Sequence, residues 1–333
     1  MKASLPMQPS PEESAALPPL SERRTVHILN PVSGGSRYFE AARRAVEKIG
    51  GELRISERIG HIAELTEALF REDPFAHAVV YGGDGTVNEA VNGLMRSGAG
   101  GTGSFSVVPA GSGNDFSAFA NDSGALQKSE LSRVDVVKTE TGGEVRYFAN
   151  IMNIGFDCNT VAETETIRTK TFLRGSAAYL AGVAKTLIAK KTVDAKVTLE
   201  GCVPVREGEE VPETIVLEQK LLLTALANAQ FYGGGFRAAP LASVQDGLMD
   251  VLLVNDISRL KFVSLVGDYR AGTYIDSSGA LKPQFAKALS YRRVRKAAIE
   301  GAERFCLDGE ILPCSDGRIT VEVAPAALWY AAL

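Results

Sequence analysis

The stretch that most constrains this chain is an apolar run followed by a glycine-rich loop and a helical pattern. Residues 78–81 form a run expected of a buried parallel strand, and after Thr86 apolar residues recur at helical spacing as far as Leu94. The loop 82–86 places three glycines around Asp84, so its backbone N–H groups can turn toward an anion at the helix N-terminus. The stretch predicts either a phosphate-binding loop or a tight turn in which Asp84 and Thr86 cap the helix.

Two other predicted strands end in similar loops. Residues 25–29 run into Asn30-Pro31-Val32-Ser33-Gly34-Gly35, and residues 104–108 run into the loop 109–116. Helical patterns follow the first strand and occupy residues 61–70. Strands that alternate with helices over short connections predict a doubly wound parallel sheet, which binds ligands at the carboxyl ends of its strands.

After about Leu131 the pattern changes to strands joined by hairpin-like turns, which predicts a β-rich antiparallel sandwich with two inserted helices, 157–169 and 176–190. The strands predicted in this half cover residues 134–138, 145–153, 195–199, 219–227, 249–254, 292–299 and 319–323. The 333 residues then divide into a disordered proline-rich tail (1–23), an α/β nucleotide-binding domain (24–131) and a β-sandwich domain (132–319), with about 320–333 packing back on the first domain.

Composition excludes several classes of function. A net charge of -4 does not supply the basic face that nucleic acid binding needs. Four cysteines without a CxxC pair and three scattered histidines argue against zinc and fit a reducing cytoplasm. The most apolar long segment, 171–191, is interrupted by Arg174 and Lys185, so we expect no membrane span. The G-x-G-x-x-G match at 98–103 precedes a strand, which excludes the usual dinucleotide-binding context.

Acidic residues at the predicted strand ends suggest chemistry. Asp84 and Asp115 would repel each other unless a cation lies between them or one of them is neutral, and a magnesium-nucleotide would satisfy both. The alternative is that Asn114 or Asp115 only caps a helix. Asp308 and Glu310 flank a glycine after an apolar run, so they form either a proton acceptor for phosphoryl transfer or a plain hairpin turn.

Six motifs in the same order resemble those of the diacylglycerol kinase catalytic family, which includes soluble bacterial lipid kinases and the sphingosine and ceramide kinases. The resemblance covers about residues 26–323. Its motifs are Asn30-Pro31 with Ser33-Gly34, Gly82 to Thr86 running into Asn88-Glu89, Pro109 to Phe116, Asn150 to Cys158, Phe231 to Gly235 leading to Asp246-Gly247-Leu248-Met249-Asp250, and Asp308-Gly309-Glu310.

The resemblance implies an NAD-kinase-like α/β domain that binds ATP and Mg²⁺, and a β-sandwich that binds a lipid. The implied ATP-site residues are Asn30, Pro31, Ser33, Gly34, Gly82, Gly83, Asp84, Gly85, Thr86, Gly111, Ser112, Asn114 and Asp115. Asp84 and Asp115 would hold magnesium, Asp308 would be the base, and Glu310 would support it. Asp246 and the Leu248 carbonyl would form a separate structural magnesium site. Ser112 stands where the family usually has threonine, and Gln245 stands where a second acid is common.

The expected reaction is phosphorylation of a lipid hydroxyl by ATP, with diacylglycerol as the default acceptor and phosphatidic acid as the product. Three alternatives stay open: a kinase for another lipid alcohol such as a sphingoid base, an NAD-kinase-like kinase of a soluble acceptor, and a catalytically silent sensor. We expect a cytoplasmic protein that contacts the inner membrane face peripherally, either as a monomer or as a homodimer.

Two surface features also carry alternatives. The apolar helix within 171–191 either lies at a membrane interface or packs in the core. The basic cluster of Arg292, Arg293, Arg295 and Lys296 either attracts anionic headgroups or ATP, or lies on a solvated strand face.

Overall fold

The computed structural model describes residues 17–122, 126–127, 130–171, 173 and 175–333. No helix within these residues is long and apolar enough to cross a membrane. Of the predicted tail, residues 1–16 lie outside the described part. The prediction extends too far at its other end, because Leu20–Glu22 forms a 3₁₀ turn and the buried Arg23 guanidinium donates to the Thr102 carbonyl (2.7 Å) and to Ser104 Oγ (3.2 Å).

The first part of the chain folds into a parallel sheet with the order β2-β1-β3-β4. Its strands are β1 (Thr25–Leu29), β2 (Glu52–Ile55), β3 (His77–Gly82) and β4 (Ser104–Pro109). The helices between them are α1 (Gly35–Lys48), α2 (His61–Glu72) and α3 (Asp84–Ser97). Because neighbouring strands are parallel, the carboxyl ends of β1, β3 and β4 lie at the same edge of the sheet.

The rest of the described chain is an antiparallel, β-rich domain. Its strands are β5 (Leu131–Thr141), β6 (Glu144–Phe148), β7 (Ile151–Gly155), β8 (Val193–Glu200), β9 (Thr214–Ala227), β10 (Met249–Asn255), β11 (Leu289–Val294), β12 (Lys296–Glu300), β13 (Arg304–Leu307), β14 (Glu310–Pro313) and β15 (Arg318–Ala331). Its helices are α4 (Phe156–Lys170), α5 (Gly175–Ala189) and α6 (Arg259–Ala271). The parallel α/β part and the antiparallel domain predicted from the sequence are therefore both present.

Strand β15 joins the two parts into one sheet. Its first half pairs with β12, while Trp329 and Tyr330 near its end pair in parallel with Ser104 and Phe105 of β4. Its pairing with β5 shifts register between residues 324 and 328, where Ala326 adopts a left-handed φ of 48°. This β-bulge marks the point where the strand passes from one part to the other.

Strand β10 shows how the antiparallel domain is packed. Met249, Val251 and Leu253 point into a core shared with β5, β7, β8, β12 and β15. Leu252 and Val254 point into a second core shared with α6 and the segment 232–242. The alternation follows the two-residue period of a strand, so the sheet is covered on both faces.

The sequence misplaced some boundaries. The single strand predicted at 145–153 is two strands, β6 and β7, and the one predicted at 292–299 is also two, β11 and β12. At the second break the backbone N–H of Arg295 leaves its own ladder and donates to the Glu200 carbonyl (3.2 Å). Strands β13 and β14 and helix α6 were not predicted.

Helices α2 and α3 approach closely at Gly93. A methyl group on Gly93 would lie against the carbonyl oxygen of Ala63 and 2.8 Å from Cβ of Thr66. We expect Gly93→Ala to lower the free energy of unfolding by about 1–3 kcal/mol, since the two helices would have to move apart. Gly267→Ala is the matched control, because Gly267 lies in α6 with nothing within 4 Å of an added methyl.

The control should raise the free energy of unfolding by about 0.5–1 kcal/mol through helix propensity. Urea denaturation of both variants measures the two effects. Equal changes in the two variants would mean that Gly93 is not a close-packing position.

Candidate active site

Three loops meet at the carboxyl ends of β1, β3 and β4. Asn30 Nδ2 donates to Thr86 Oγ1 at 3.0 Å, which ties the loop after β1 to the start of α3. The N–H of Ala110 donates to the Gly82 carbonyl at 2.9 Å, which ties the loop after β4 to the loop after β3. The structure therefore brings the three predicted loops to one edge.

The two glycine loops touch through their backbones. A methyl group on Gly83 would lie 2.8 Å from Cα of Gly111, so a side chain there would push the loops apart. Asn114 holds the second loop closed: its Oδ1 accepts from the Gly111 N–H (2.7 Å) and its Nδ2 donates to the Gly111 carbonyl (2.8 Å). The remaining predicted loop residues, Pro31, Ser33, Gly34, Gly85 and Ser112, are half-buried or exposed in these same loops.

Asp84 and Asp115 face each other across Gly113. A methyl group on Gly113 would lie 2.7 Å from Oδ2 of Asp84 and 3.2 Å from Oδ2 of Asp115. Burial raises the pKa of Asp84, and burial followed by the charge of Asp84 raises the pKa of Asp115 to about 6. Two desolvated carboxylates this close favour a cation between them.

Asp115 is also bound by the antiparallel domain. The N–H groups of Gly234 and Gly235 donate to its two carboxylate oxygens at 2.9 and 2.8 Å. The loop carrying these glycines is closed by two backbone hydrogen bonds between Tyr232 and Phe236. The motif at 231–235 was recognised in the sequence, but its contact with Asp115 was not.

Asp308 is a buried carboxylate at the tip of the β13–β14 hairpin. Its Oδ1 accepts from the N–H groups of Asn150 (3.2 Å) and Ile151 (2.8 Å), and its Oδ2 accepts from the Ala149 N–H (3.1 Å) and from Asn88 Nδ2 (3.0 Å). Burial raises the pKa of Asp308 to about 6, while these hydrogen bonds oppose the rise. At neutral pH the group is therefore ionised.

Asn88 is a site residue that the sequence analysis did not assign. It lies one helical turn after Asp84 on α3, and its Nδ2 donates to the Tyr147 carbonyl (3.0 Å) as well as to Asp308. The four-residue spacing from Asp84 is the sequence signal that would have placed it on the same helix face. Its neighbour Glu89 has a different role, since its carboxylate accepts from the N–H groups of Gly60 and Ile62 at the start of α2.

The other predicted acids lie in different surroundings. Glu310 is half exposed, with its carboxylate 3.4 Å from the Arg146 guanidinium. Asp246 lies in a separate loop, where its carboxylate accepts from the Leu248 N–H (3.1 Å) and forms an ion pair with Arg293. The structure thus brings Asp84, Asp115 and Asp308 to one cleft and leaves Asp246 outside it.

The pair of Asp84 and Asp115 fits magnesium bound together with phosphates. Within the described residues, no three histidine, cysteine or acidic side chains converge to hold a metal ion by themselves. Mg²⁺ in nucleotide sites takes one or two carboxylates and completes its shell with phosphate oxygens and water. The facing carboxylates would supply the protein share of such a shell.

A small apolar pocket of about 30 Å³ lies between α6 and the sheet. Its walls include Leu223, Val254, Phe262, Leu265, Tyr269 and Leu289. The Tyr269 hydroxyl lies 3.3 Å from that of Tyr232, which donates in turn to the buried carboxylate of Asp157. Tyr232 precedes the glycine loop that binds Asp115, so hydrogen bonds connect one wall residue of the pocket to that loop.

Comparison with known proteins gives consistent matches to both parts. Residues 24–140 match the diacylglycerol kinase catalytic domain, and residues 150–331 match the YegS C-terminal NAD kinase beta sandwich-like domain. A probable lipid kinase YegS-like of Chromohalobacter salexigens is 31% identical over 78% of this chain and 77% of its own length. A diacylglycerol kinase of Mycobacterium tuberculosis is 26% identical over 75% of this chain and 79% of its own length.

A solved structure described as a putative diacylglycerol kinase from Bacillus anthracis has the same fold. It superposes with a TM-score of 0.65 at 21% identity, over 93% of this chain and 98% of that one.

The buried carboxyl of Asp157 yields a prediction about pH. Burial raises its pKa to about 7, against about 3.9 in an unfolded chain. Between the pH values that equal these two pKa values, the folded state binds more protons than the unfolded state. The free energy of unfolding therefore falls as pH rises, by up to about 1.4 kcal/mol per pH unit. We expect Asp157→Asn, which keeps an acceptor for Tyr232, to lose this dependence. The free energies of unfolding of the two proteins should diverge between pH 5 and 7 and run parallel above pH 8, and a constant difference over the whole range would contradict the assignment.

Proposed function

The chain belongs to the lipid kinase family that is defined by a diacylglycerol kinase catalytic domain and a YegS C-terminal NAD kinase beta sandwich-like domain, and we propose that it transfers the γ-phosphate of ATP to the hydroxyl of diacylglycerol. The observation that carries the proposal is the contact between Asp308 and Asn88. Through it, the buried acid of one domain lies one helical turn from Asp84 in the glycine loop of the other. Phosphoryl transfer needs this combination of a phosphate site and a nearby proton acceptor.

The phosphates of ATP would lie on the two glycine loops. Both loops present backbone to the cleft, and the N-terminus of α3 directs its free N–H groups toward the same edge. Magnesium, when bound at Asp84 and Asp115, would neutralise charge on the phosphate oxygens. The contacts from Gly234 and Gly235 orient Asp115 for this role.

Asp308 is the group that we assign as proton acceptor. The substrate oxygen forms a bond to the γ-phosphorus, the bond from that phosphorus to the ADP oxygen breaks, and the hydroxyl proton passes to the carboxylate. Four N–H groups already occupy the lone-pair positions that a carboxylate offers. Asn88 is the side-chain donor among them and has a second acceptor in the Tyr147 carbonyl, so the substrate hydroxyl would take its place.

The pocket under α6 supports a lipid as the acceptor. Its walls are apolar, and the hydroxyl of its wall residue Tyr269 lies beside that of Tyr232, which precedes the loop that holds Asp115. The pocket measures about 30 Å³, so an acyl chain would enter it only if α6 moved away from the sheet. A soluble polar acceptor such as NAD would gain nothing from these walls.

The first test is transfer of labelled γ-phosphate from Mg-ATP to a panel of lipids and soluble acceptors. We expect phosphatidic acid as the product. Asp308→Asn should lower kcat by about 10²–10⁴-fold, as removal of a general base does. Activity of the unaltered protein should fall as pH drops below about 6, where Asp308 takes up a proton.

Glu310→Gln is the control variant for this test. Its carboxylate is half exposed and its ion pair with Arg146 is long, so its loss should change the free energy of unfolding by less than about 1 kcal/mol. We expect a smaller activity loss than in Asp308→Asn, and any loss measures a supporting role without a folding defect. Labelling of NAD or a sugar, with no lipid labelled, would refute the proposed acceptor and leave the nucleotide site standing.

We also propose that helices α5 and α6 contact the membrane from which the lipid is taken. Leu260 and Ile188 are 85% and 75% exposed. Arg259 joins the two helices by donating to the carbonyls of Leu187 (2.9 Å) and Ile188 (2.8 Å). Since the opposite face of α6 lines the pocket, a bilayer bound to the outer face would lie beside the pocket mouth.

Leu260→Glu should weaken binding to phosphatidylglycerol vesicles by about tenfold or more, because burial of a leucine side chain contributes about 1.5–3 kcal/mol. Phosphorylation of a short-chain lipid in micelles should not change. Val216→Glu is the control, since Val216 is an exposed apolar residue on β9, away from this face. Equal loss of vesicle binding in both variants would show that the α5–α6 face is not the contact.

A further inference from the structure

A second group of acids lies outside the cleft, at the bulge of β15. The three acids are Asp135, Asp246 and Asp250. Together with Arg293 they form what we call the Arg293 cluster. It connects three regions that are far apart in sequence: β5, the loop before β10 together with β10, and β11. The sequence resemblance implies a structural magnesium ion here, on Asp246 and the Leu248 carbonyl.

The Arg293 guanidinium binds two of the three acids. Its Nε donates to Asp250 Oδ1 at 3.0 Å, and a terminal nitrogen donates to Asp246 Oδ2. Asp250 and Arg293 are also directly opposite each other in the β10–β11 ladder. The Asp250 carboxylate is buried and the other two side chains are only about a fifth exposed, so water screens these charges weakly.

Asp135 connects the cluster to the bulge. Its Oδ1 accepts from the Ala326 N–H (2.6 Å) and its Oδ2 accepts from the Gly247 N–H (2.8 Å). Its own N–H donates to the Val244 carbonyl at 2.6 Å. The loop 244–248 is thereby held against the point where β15 passes from one part of the fold to the other.

The residues present do not fit a magnesium ion at Asp246. One oxygen of Asp246 accepts from the Leu248 N–H and the other is bound by a guanidinium, which would repel a dication. Gln245, where a second acid is common, supplies no charge and donates its Nε2 to the Arg133 carbonyl (3.0 Å). Of the six carboxylate oxygens of Asp135, Asp246 and Asp250, only Asp250 Oδ2 lacks a hydrogen-bond partner, and one buried oxygen does not supply the several oxygen ligands that a structural Mg²⁺ needs.

We infer that Arg293 is the resident cation of this junction and takes the place of the structural metal. Its planar fork matches two carboxylates held on neighbouring segments, which a single ammonium group cannot do as well. The junction between the two parts of the fold should then keep its stability when divalent cations are removed. For Arg293, neither predicted role of the basic cluster 292–296 applies. Its side chain does not lie on a solvated strand face, and its guanidinium is not available to anionic headgroups.

The test measures thermal unfolding without nucleotide, in chelator and in excess Mg²⁺ or Ca²⁺. The background is Asp84→Asn, which removes the proposed magnesium site in the cleft. We expect the same melting temperature in all three conditions, and no stoichiometric metal in protein purified without chelator. Arg293→Met should lower the melting temperature by roughly 10 °C in chelator and regain part of it with Mg²⁺ or Ca²⁺, because two buried carboxylates lose their cation.

Arg293→Lys keeps the positive charge but not the planar guanidinium. Its melting temperature in chelator should therefore lie between those of the parent and of Arg293→Met, and should rise only slightly when metal is added. A metal-dependent melting temperature in the Asp84→Asn background, or bound metal in that protein, would overturn the inference. So would an Arg293→Met variant as stable in chelator as its parent. If Arg293→Met does not fold, the chelator response and metal content of Asp84→Asn decide alone. All readouts concern folding, so they do not depend on the kinase assay.

Discussion

The cleft depends on the hydrogen bonds that the buried carboxylate of Asp308 accepts. This carboxylate gathers the N–H groups of residues 149–151 and the side chain of Asn88, and so joins the hairpin tip, the β6–β7 connection and helix α3 at one buried point. The break between β6 and β7 follows from this, because the N–H groups at the break bind a carboxylate instead of a neighbouring strand. Without this acid the connection would carry buried N–H groups with no acceptor, and each such group would lower the stability of the folded state.

The charges of the buried acids are stabilised by different partners. These partners distinguish acids with a structural role from acids at the candidate active site. Backbone amides hold Asp308, a guanidinium holds Asp250, and a tyrosine hydroxyl holds Asp157. At Asp84 and Asp115 the amides are present, but two carboxylates still face each other, and no cationic side chain of the residues that the structure describes lies between them. Incomplete compensation in a cleft is typical of a site that a charged ligand completes.

Local sequence patterns predicted the parallel part well, because each strand there is followed directly in sequence by its loop and its helix. What they missed depends on distant partners. The break at Ala149 is caused by Asp308, more than 150 residues away, and no local pattern carries that information. Helix α6 does have apolar residues at helical spacing, at Phe262, Leu265, Val266 and Tyr269, but the exposed Leu260 and Val263 obscure the period. The proposed role of Asp308 came from the family resemblance, since residue type alone favoured a hairpin turn, whereas the charges of Asp84 and Asp115 had already suggested a cation between them.

The two sides of the cleft hold each other reciprocally. Asp115 of the α/β part accepts hydrogen bonds from Gly234 and Gly235 of the antiparallel domain, while Asp308 of that domain accepts one from Asn88 of the α/β part. Strand β15 adds a covalent and hydrogen-bonded link beside them, by pairing with β4 after its bulge. Of these three links, the one between Asp308 and Asn88 is the one that the proposed acceptor hydroxyl would replace, whereas the Asp115 contacts and strand β15 would stay in place. If the pocket under α6 takes the acceptor, as we propose, then the side chains of helix α6 set which acceptor fits.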